Sequence, residues 1–518
     1  MPARWAVVAV ALLGCRGDEG EPANGTSDTP SSPPTDSADS ADSGASLPRD
    51  VPADFVFGAA TAGFQVDMGC PDTSGPHADG CIDPNSDWYA WVTDERITSD
   101  PGNHVTGEPV TVGPGMWSLF EDDVQRMASD GMTGYRMSLE WSRLFPDGAA
   151  EAATTVDELA AHADAAAVAR YHEMFAALRA AGIEPIVTVN HYTLPTWVHD
   201  GVACHLDADS CTADGWVTGE RIVPLIALYT GFVAREFGGE VDTWFTLNEP
   251  YATTIAGYVQ PGEDRSAPPG LPLDFGRAVL VAQHQIEGHA AMADALRAED
   301  LVDASGDGSP VTVGLVLNMA VFEPADPTRA EDVEAAEHAD YMYHQLYFDA
   351  VTTGAWDDDV DGVPDRTRDE LAGRLDVIGI NYYNRVFVTG LGISLSQELP
   401  LLDFLPEFSW DPYPEGLGMV ITRATAWNLP IWVTENGTPH VAEDGTEILE
   451  DHLASMVGAM DAGADVRGYL YWSYIDNYEW NHGMDLRFGL YTFDEVTKER
   501  EERAVLQRYR EIMATGRL

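Results

Sequence analysis

Short apolar runs recur along this chain, and most are separated by longer stretches whose apolar residues fall three and four positions apart. Eight runs read as strands, at positions 55–60, 134–139, 185–191, 243–248, 311–319, 377–382, 431–435 and 468–474. The intervening stretches, 167–180 and 274–297 among them, carry the spacing of helices with one buried face. Strand and helix in alternation predict a parallel sheet wrapped by helices. Eight such units predict an α/β fold of the (β/α)8 TIM-barrel type, a single large domain with loop insertions. Its strands present their C-terminal ends at one rim, where side chains from different strands converge.

The N-terminus breaks this pattern. Arg4 precedes an apolar run, 5–13, that ends at Leu12-Leu-Gly-Cys15. The run is too short to span a bilayer and has the profile of a signal peptide. The segment resembles a bacterial lipoprotein signal, cut before Cys15, whose thiol and new amino group would be acylated; an ordinary secretory signal is the alternative. From 16 to 47 the chain is rich in Ser, Asp, Pro, Gly and Thr with almost no large apolar side chain, so it cannot bury enough surface to fold. The expected organisation is a signal peptide and lipobox at 1–15, a disordered linker at 16–47 and the barrel at 48–518. Arg16 is not the Asp that commonly retains lipoproteins at an inner membrane, so the expected location is an outer membrane or cell surface, with the lipid as the only membrane contact.

Charge narrows the partners. The 518 residues hold 86 Asp and Glu against 28 Lys and Arg, a formal net charge of -58, which argues against nucleic acid or anionic membrane surfaces. Lys498 is the only lysine, and the acidity is spread along the chain, as a salty habitat or a solubilised surface would each produce. Of five cysteines, four remain once Cys15 is set aside. They allow three connectivities, and their short spacings within polar loops favour Cys70–Cys81 and Cys204–Cys211 in an oxidising compartment. No Cys-His cluster points to zinc. In Asp357-Asp-Asp-Val-Asp-Gly-Val-Pro-Asp365, carboxylates at Asp357, Asp359, Asp361 and Asp365 surround Gly362 at nearly the spacing of calcium loops, although Arg368 stands where an EF-hand has its bidentate Glu. The expectation is a structural Ca2+ there; a solvated acidic turn is the other reading.

Two predicted strands end on carboxylates: Glu249 in Trp244-Phe-Thr-Leu-Asn-Glu-Pro250 and Glu435 in Ile431-Trp-Val-Thr-Glu-Asn-Gly437. Alone, a Glu at a strand end is more often a surface or ion-paired residue. Two that meet at one rim could cleave a glycosidic bond with retention, which needs one carboxyl to protonate the leaving oxygen and another, roughly 5 Å away, to attack the anomeric carbon.

These motifs, with Gly134-Tyr-Arg-Met-Ser-Leu-Glu-Trp-Ser-Arg-Leu-Phe-Pro146, Gly379-Ile-Asn-Tyr-Tyr383, Tyr413-Pro-Glu-Gly-Leu417, Trp472-Ser-Tyr-Ile-Asp-Asn-Tyr-Glu-Trp480 and Arg487-Phe-Gly489, resemble glycoside hydrolase family 1, the retaining β-glycosidases, over about 52–513. Gly63-Phe-Gln-Val-Asp-Met-Gly69 and Asp87-Trp-Tyr-Ala-Trp91 are most similar to the archaeal-type members. The resemblance implies Glu249 as general acid/base and Glu435 as nucleophile. It implies Arg136 beside the nucleophile, Tyr383 bonded to the same carboxylate and Asn248 on the sugar 2-hydroxyl. Gln65, His191, Tyr192, Asn381, Glu479 and Phe488 match sugar-site positions, with Trp472 and Trp480 as aromatic floor and wall. Taken singly, His191 would be a core histidine and the aromatics core packing. The family works without metal or cofactor.

The chain departs from the family's pattern at Tyr192, where Trp is usual, at Asp67, where Glu is usual, and in the loop 258–270, which would border the leaving-group site. Glu249 argues for ordinary O-glycosides, since members acting on plant thioglucosides have Gln there. Glu479 argues for an unphosphorylated sugar. The resemblance thus implies an exo-β-glycosidase acting by double displacement on terminal non-reducing β-D-glucosyl, galactosyl or fucosyl residues of small or oligomeric β-glycosides. A transglycosylase using the same intermediate and a non-catalytic surface carbohydrate-binding protein are the alternatives. Oligomeric state is left open.

Overall fold

A computed structural model describes residues 55–71, 77, 80–391, 404–408, 410–443 and 445–518. The expected signal, the linker and Cys15 lie outside the described residues. Eight parallel strands close into a barrel: β1 (Val56–Ala60), β2 (Gly134–Ser138), β3 (Glu184–Asn190), β4 (Thr243–Asn248), β5 (Thr312–Asn318), β6 (Val377–Tyr382), β7 (Ile431–Asn436) and β8 (Val466–Trp472). Each pairs with its sequence neighbours, and β8 pairs with β1, Val56 opposite Gly468 and Ala60 opposite Trp472. Between them run long helices such as Ala165–Ala180, Gly219–Phe237 and Phe275–Glu299. The strands are buried along nearly their whole length because helices cover the outside and side chains fill the inside.

Local chemistry sets the helix starts. The Asp164 carboxylate accepts from the Ala166 and Ala167 N–H groups, and Asp274 accepts from Arg277 N–H, so helix-end donors are satisfied before the apolar face begins. That face supplies the stabilisation, about 1.5–3 kcal/mol for each large apolar side chain taken out of water. Inside the barrel Val56, Ile186, Phe245, Val316, Val377, Trp432 and Leu470 pack together. The Phe245 ring fits only because β5 carries glycine beside it: a Cβ on Gly314 would lie 2.4 Å from that ring. The Arg136 guanidinium sits 5.9 Å above the same ring, so this apolar layer is the floor on which the polar rim is built.

Strand β8 ends at Trp472, two residues earlier than expected. Tyr474 is buried but leaves the ladder, its N–H going to Ala60 O at 3.3 Å as the chain turns inward. The sequence reading also missed a small sheet of Val321–Pro324, Arg385–Gly390 and Phe404–Phe408, inserted outside the barrel, and two short hairpins. Strands this short carry little periodicity and pair only once the barrel places them. Disulfides join Cys70 to Cys81 and Cys204 to Cys211, the expected pairing.

In the acidic loop, ligand atoms of Asp357, Asp359 and Asp361 lie within 4.8 Å of one another; Asp365 is not in that group and instead accepts from Asp358 N–H at 2.8 Å. Asp357 is buried, and its carboxylate accepts from the N–H groups of Val360, Asp361 and Gly362 and from the Tyr341 hydroxyl. This side chain therefore serves as the hydrogen-bonding centre of its own loop.

Candidate active site

The sugar-site residues expected from sequence gather around the C-terminal ends of the barrel strands and the loops beyond them. Arg136 belongs to β2, His191 and Tyr192 follow β3, Asn248 and Glu249 close β4, Asn381 and Tyr383 close β6, and Glu435 belongs to β7. Trp472 closes β8, and Glu479 and Trp480 lie on the loop beyond it. Gln65 comes from the short helix Gly63–Asp67 after β1. A recess of about 690 Å³, open to solvent, brings Glu249 and Glu435 together with His191, Tyr192, Asn248, Tyr383, Trp472, Glu479, Trp480 and Phe488. Arg136, Gln65 and Asn381 stand behind this lining and act on it through hydrogen bonds.

Three lining residues hold left-handed backbone that L side chains rarely adopt: Tyr192 at φ 71°, Glu249 at φ 40° and Trp480 at φ 48°. Each costs about 1–3 kcal/mol and persists only where the surroundings over-determine it. At Glu249 they do: its N–H bonds Val316 O at 2.9 Å on β5, and Pro250 starts a helix immediately after it.

Glu435 is held from two sides. Arg136 Nη1 donates to its Oε1 at 2.6 Å, and the Tyr383 hydroxyl donates to its Oε2 at 2.6 Å. Arg136 is fully buried, and its guanidinium also donates to Asn248 Oδ1 and Thr188 Oγ1, each at 2.8 Å, and to Thr434 O at 3.4 Å, which fixes its plane. Burial pushes the Glu435 carboxyl up to about 7, Arg136 and Tyr383 pull against that push, and the nearby Glu249 carboxylate adds to it. The two donors on its oxygens favour the ionised form of Glu435, against the burial that raises it.

Glu249 accepts from the Tyr192 hydroxyl at 2.6 Å on Oε2 and from Asn381 Nδ2 at 2.8 Å on Oε1, while Arg265 Nη1 stands 3.6 Å from Oε2. Thr434 fixes Asn381 in turn, donating to its Oδ1 at 2.8 Å. The sequence places Tyr192 among the sugar-site positions, as a departure from the usual Trp, and does not single out Arg265 within its loop. A phenol at position 192 is visible in the sequence; that its hydroxyl reaches a carboxylate on the next strand is not.

Buried polar atoms mark where a polar ligand belongs. Asn248 Nδ2 donates to His191 Nε2 at 3.0 Å, so the ring proton is on Nδ1, and that buried atom has no protein partner. Burial, then the Arg136 charge, hold the His191 pKa well below its usual value, so the ring is neutral. Gln65 Nε2 donates to Glu479 Oε2 at 2.9 Å, leaving the buried Gln65 Oε1 without a protein partner. Asn477 Nδ2 donates to the same Glu479 oxygen at 2.7 Å. One free donor and one free acceptor, both shielded from water, match hydroxyls, which donate and accept at once. Flat apolar faces lie beside them: the His191 ring stacks at 20° to both Trp472 and Trp480, and Trp480 stacks on Phe64 at 5.5 Å. Trp88 and Trp410, also missed from sequence, complete the aromatic lining.

Known proteins are similar to this chain over most of its length. The model of glycosyl hydrolase family 1 matches residues 47–517. A β-galactosidase of Pyrococcus woesei is 31% identical over 514 residues, covering 90% of this chain and 97% of its own. A β-galactosidase of Saccharolobus solfataricus is 33% identical over 503 residues, covering 90% and 95%. Among solved structures, the β-glycosidase of the hyperthermophile Thermosphaera aggregans matches with a TM-score of 0.76 at 28% identity, over 89% of this chain and 96% of that one. With the closed barrel, the paired carboxylates and a family match spanning nearly all of the described chain, the protein belongs to glycosyl hydrolase family 1.

Proposed function

We propose that the protein is a retaining exo-β-glycosidase that removes terminal non-reducing β-D-glucosyl, galactosyl or fucosyl residues by double displacement. The observation that carries this reading is the asymmetry of the two carboxylates: a fully buried guanidinium at 2.6 Å and a phenol grip Glu435, while Glu249 meets a phenol and an amide, with the part-exposed Arg265 guanidinium only at 3.6 Å. In the first step Glu435 attacks the anomeric carbon as the glycosidic C–O bond breaks, and Glu249 gives its proton to the leaving oxygen. In the second, Glu249 takes a proton from water, the water oxygen attacks the same carbon and the ester to Glu435 breaks. Two inversions leave the β configuration. Asn248 would meet the sugar 2-hydroxyl, with His191 Nδ1–H and Gln65 Oε1 on further hydroxyls and the indoles against the C–H face. The test is release of nitrophenol from a panel of aryl β-glycosides; β-glucosidases and β-galactosidases both occur among the relatives, and the panel decides the sugar.

The hydrogen bond from Tyr383 yields a pH prediction. Glu435 reacts ionised, so the acid limb of kcat/KM follows loss of its proton. Burial raises that limb, and the Tyr383 hydroxyl lowers it. Tyr383→Phe is therefore expected to move the acid limb to higher pH and to lower kcat/KM about 10- to 100-fold, the worth of a hydrogen bond to a charged group. An unmoved acid limb in the pH–rate profile would count against this role.

We further propose that the enzyme is exported and tethered through lipid on Cys15, the linker spacing the barrel from the membrane. The N-terminal pattern and the two disulfides, which persist in oxidising compartments, support this. Expressed with its own N-terminus in a bacterium, Cys15→Ala is expected to lose incorporation of labelled palmitate and leave the membrane fraction; equal membrane retention of both forms would contradict the anchor.

A further inference from the structure

We infer that Arg265 is an anion anchor on the leaving-group side of the site, selecting β-glycosides whose aglycone carries a carboxylate. The inference rests on the reading of Glu249 as the acid. The anchoring loop is built, not loose. Its turn closes by Gly262 N–H to Arg265 O at 2.8 Å, and two side chains beyond β8 hold its carbonyls, Asn481 Nδ2 on Glu263 O at 3.5 Å and His482 Nε2 on Asp264 O at 2.8 Å. The loop follows Glu249 in the chain, and Asp264, Arg265, Ser266 and Ala267 line the recess.

The Arg265 side chain is about a third exposed, and its sole ion pair among the described residues is with Glu249, Nη1 to Oε2 at 3.6 Å, longer than a hydrogen bond. Among the described residues its planar array of N–H donors has no other partner, unlike that of Arg136, whose guanidinium is spent on Glu435, Thr434, Asn248 and Thr188. The other charged side chains lining the recess are Glu249, Glu435, Glu479 and Asp264. Glu435 is paired with Arg136, whereas Glu479 accepts only from the neutral amides of Gln65 and Asn477.

In the form ready for substrate, Glu249 carries the proton it will deliver, and Arg265 then has lost its ion pair, with Glu479 left as an acidic neighbour that acts on it without a direct contact. A guanidinium in a half-sheltered recess recruits an anion, and a carboxylate fits its fork with two parallel hydrogen bonds. A neutral aglycone leaves the cation pressing against the protonated acid; an anionic one cancels it. Asp264 opposes such a ligand but is exposed to solvent. The long-range repulsion of a chain with net charge -58 is screened within about 8 Å at physiological ionic strength, whereas the guanidinium acts at contact.

The test compares two aryl β-glycosides of the preferred sugar, matched in leaving-group acidity, one with a ring carboxylate and the other with the carboxamide. Wild type is expected to favour the carboxylate about 10- to 100-fold in kcat/KM, chiefly through KM because the contact exists before and during bond breaking. Arg265→Gln is expected to bring the ratio to one or below, and Arg265→Lys to an intermediate value. Wild type alone decides the matter if a variant does not fold: a ratio of one or less with both substrates cleaved overturns the anchor and leaves the β-glycosidase reading intact. A ratio unchanged in both variants overturns the assignment to Arg265. Cleavage of neither substrate overturns the glycosidase reading and the anchor together.

Discussion

Glu435→Gln is expected to abolish turnover, lowering kcat/KM by on the order of 10⁴-fold or more, because an amide of the same shape cannot attack the anomeric carbon. The loss corresponds to about 5.5 kcal/mol of transition-state stabilisation at 1.36 kcal/mol per tenfold. A second consequence follows from burial. Arg136 is fully buried and its charge is answered by Glu435 at 2.6 Å, so the neutral amide leaves an uncompensated cation beneath the site. Breaking one side of such a pair costs about 3–5 kcal/mol. The variant should therefore unfold at lower temperature as well as lose activity, and the two effects are separable: thermal unfolding measures the first, and quenching of tryptophan fluorescence by sugar shows whether the remaining folded protein still binds. Activity within a hundredfold of wild type in protein shown to be folded would remove Glu435 from its role.

Glu249→Ala should behave differently, and the difference is diagnostic. For a glycoside with a poor leaving group, loss of the proton donor is expected to cost about 10²- to 10⁴-fold. For a dinitrophenyl glycoside, whose leaving group departs without a proton, the first step should be nearly spared and the second, in which Glu249 activates water, becomes limiting. The truncation also frees the Tyr192 hydroxyl and Asn381 Nδ2 from their acceptor and opens space in the recess. Azide can occupy that space and needs no base, so it should restore the rate and yield a β-glycosyl azide. An α product, or an equal loss for good and poor leaving groups, would reverse or void the assignment.

The residues that were hardest to read are those whose work depends on a neighbour from another strand. Arg265 lies in a loop that follows the family loosely, with no apolar periodicity, and only its 3.6 Å approach to Glu249 gives it meaning. Tyr192 was visible as a departure from the usual Trp, yet a departure alone does not disclose that a hydroxyl has been placed on a carboxylate. His191 and Gln65 carry unpartnered buried atoms, a property that exists only once the chain has closed around them. The small outer sheet escaped for a related reason, since strands of four to six residues pair only where the barrel sets them side by side.

By itself the sequence determined the architecture, because a barrel strand must be apolar and an outer helix must repeat its apolar residues every three to four positions; strands β4 and β6 begin and end where that pattern does. It also determined the chemical inventory, since two Glu residues at strand ends, with Arg136 and Tyr383 in their motifs, limit what the rim can do. Tertiary structure alone decided how each carboxylate is solvated and which donors it accepts. Burial, the Arg136 and Tyr383 bonds on Glu435 and the Tyr192, Asn381 and Arg265 surroundings of Glu249 come from separate strands and loops that meet only when β8 closes on β1. Coulomb and hydrogen-bond energies depend on distance through space, which position along the chain does not encode.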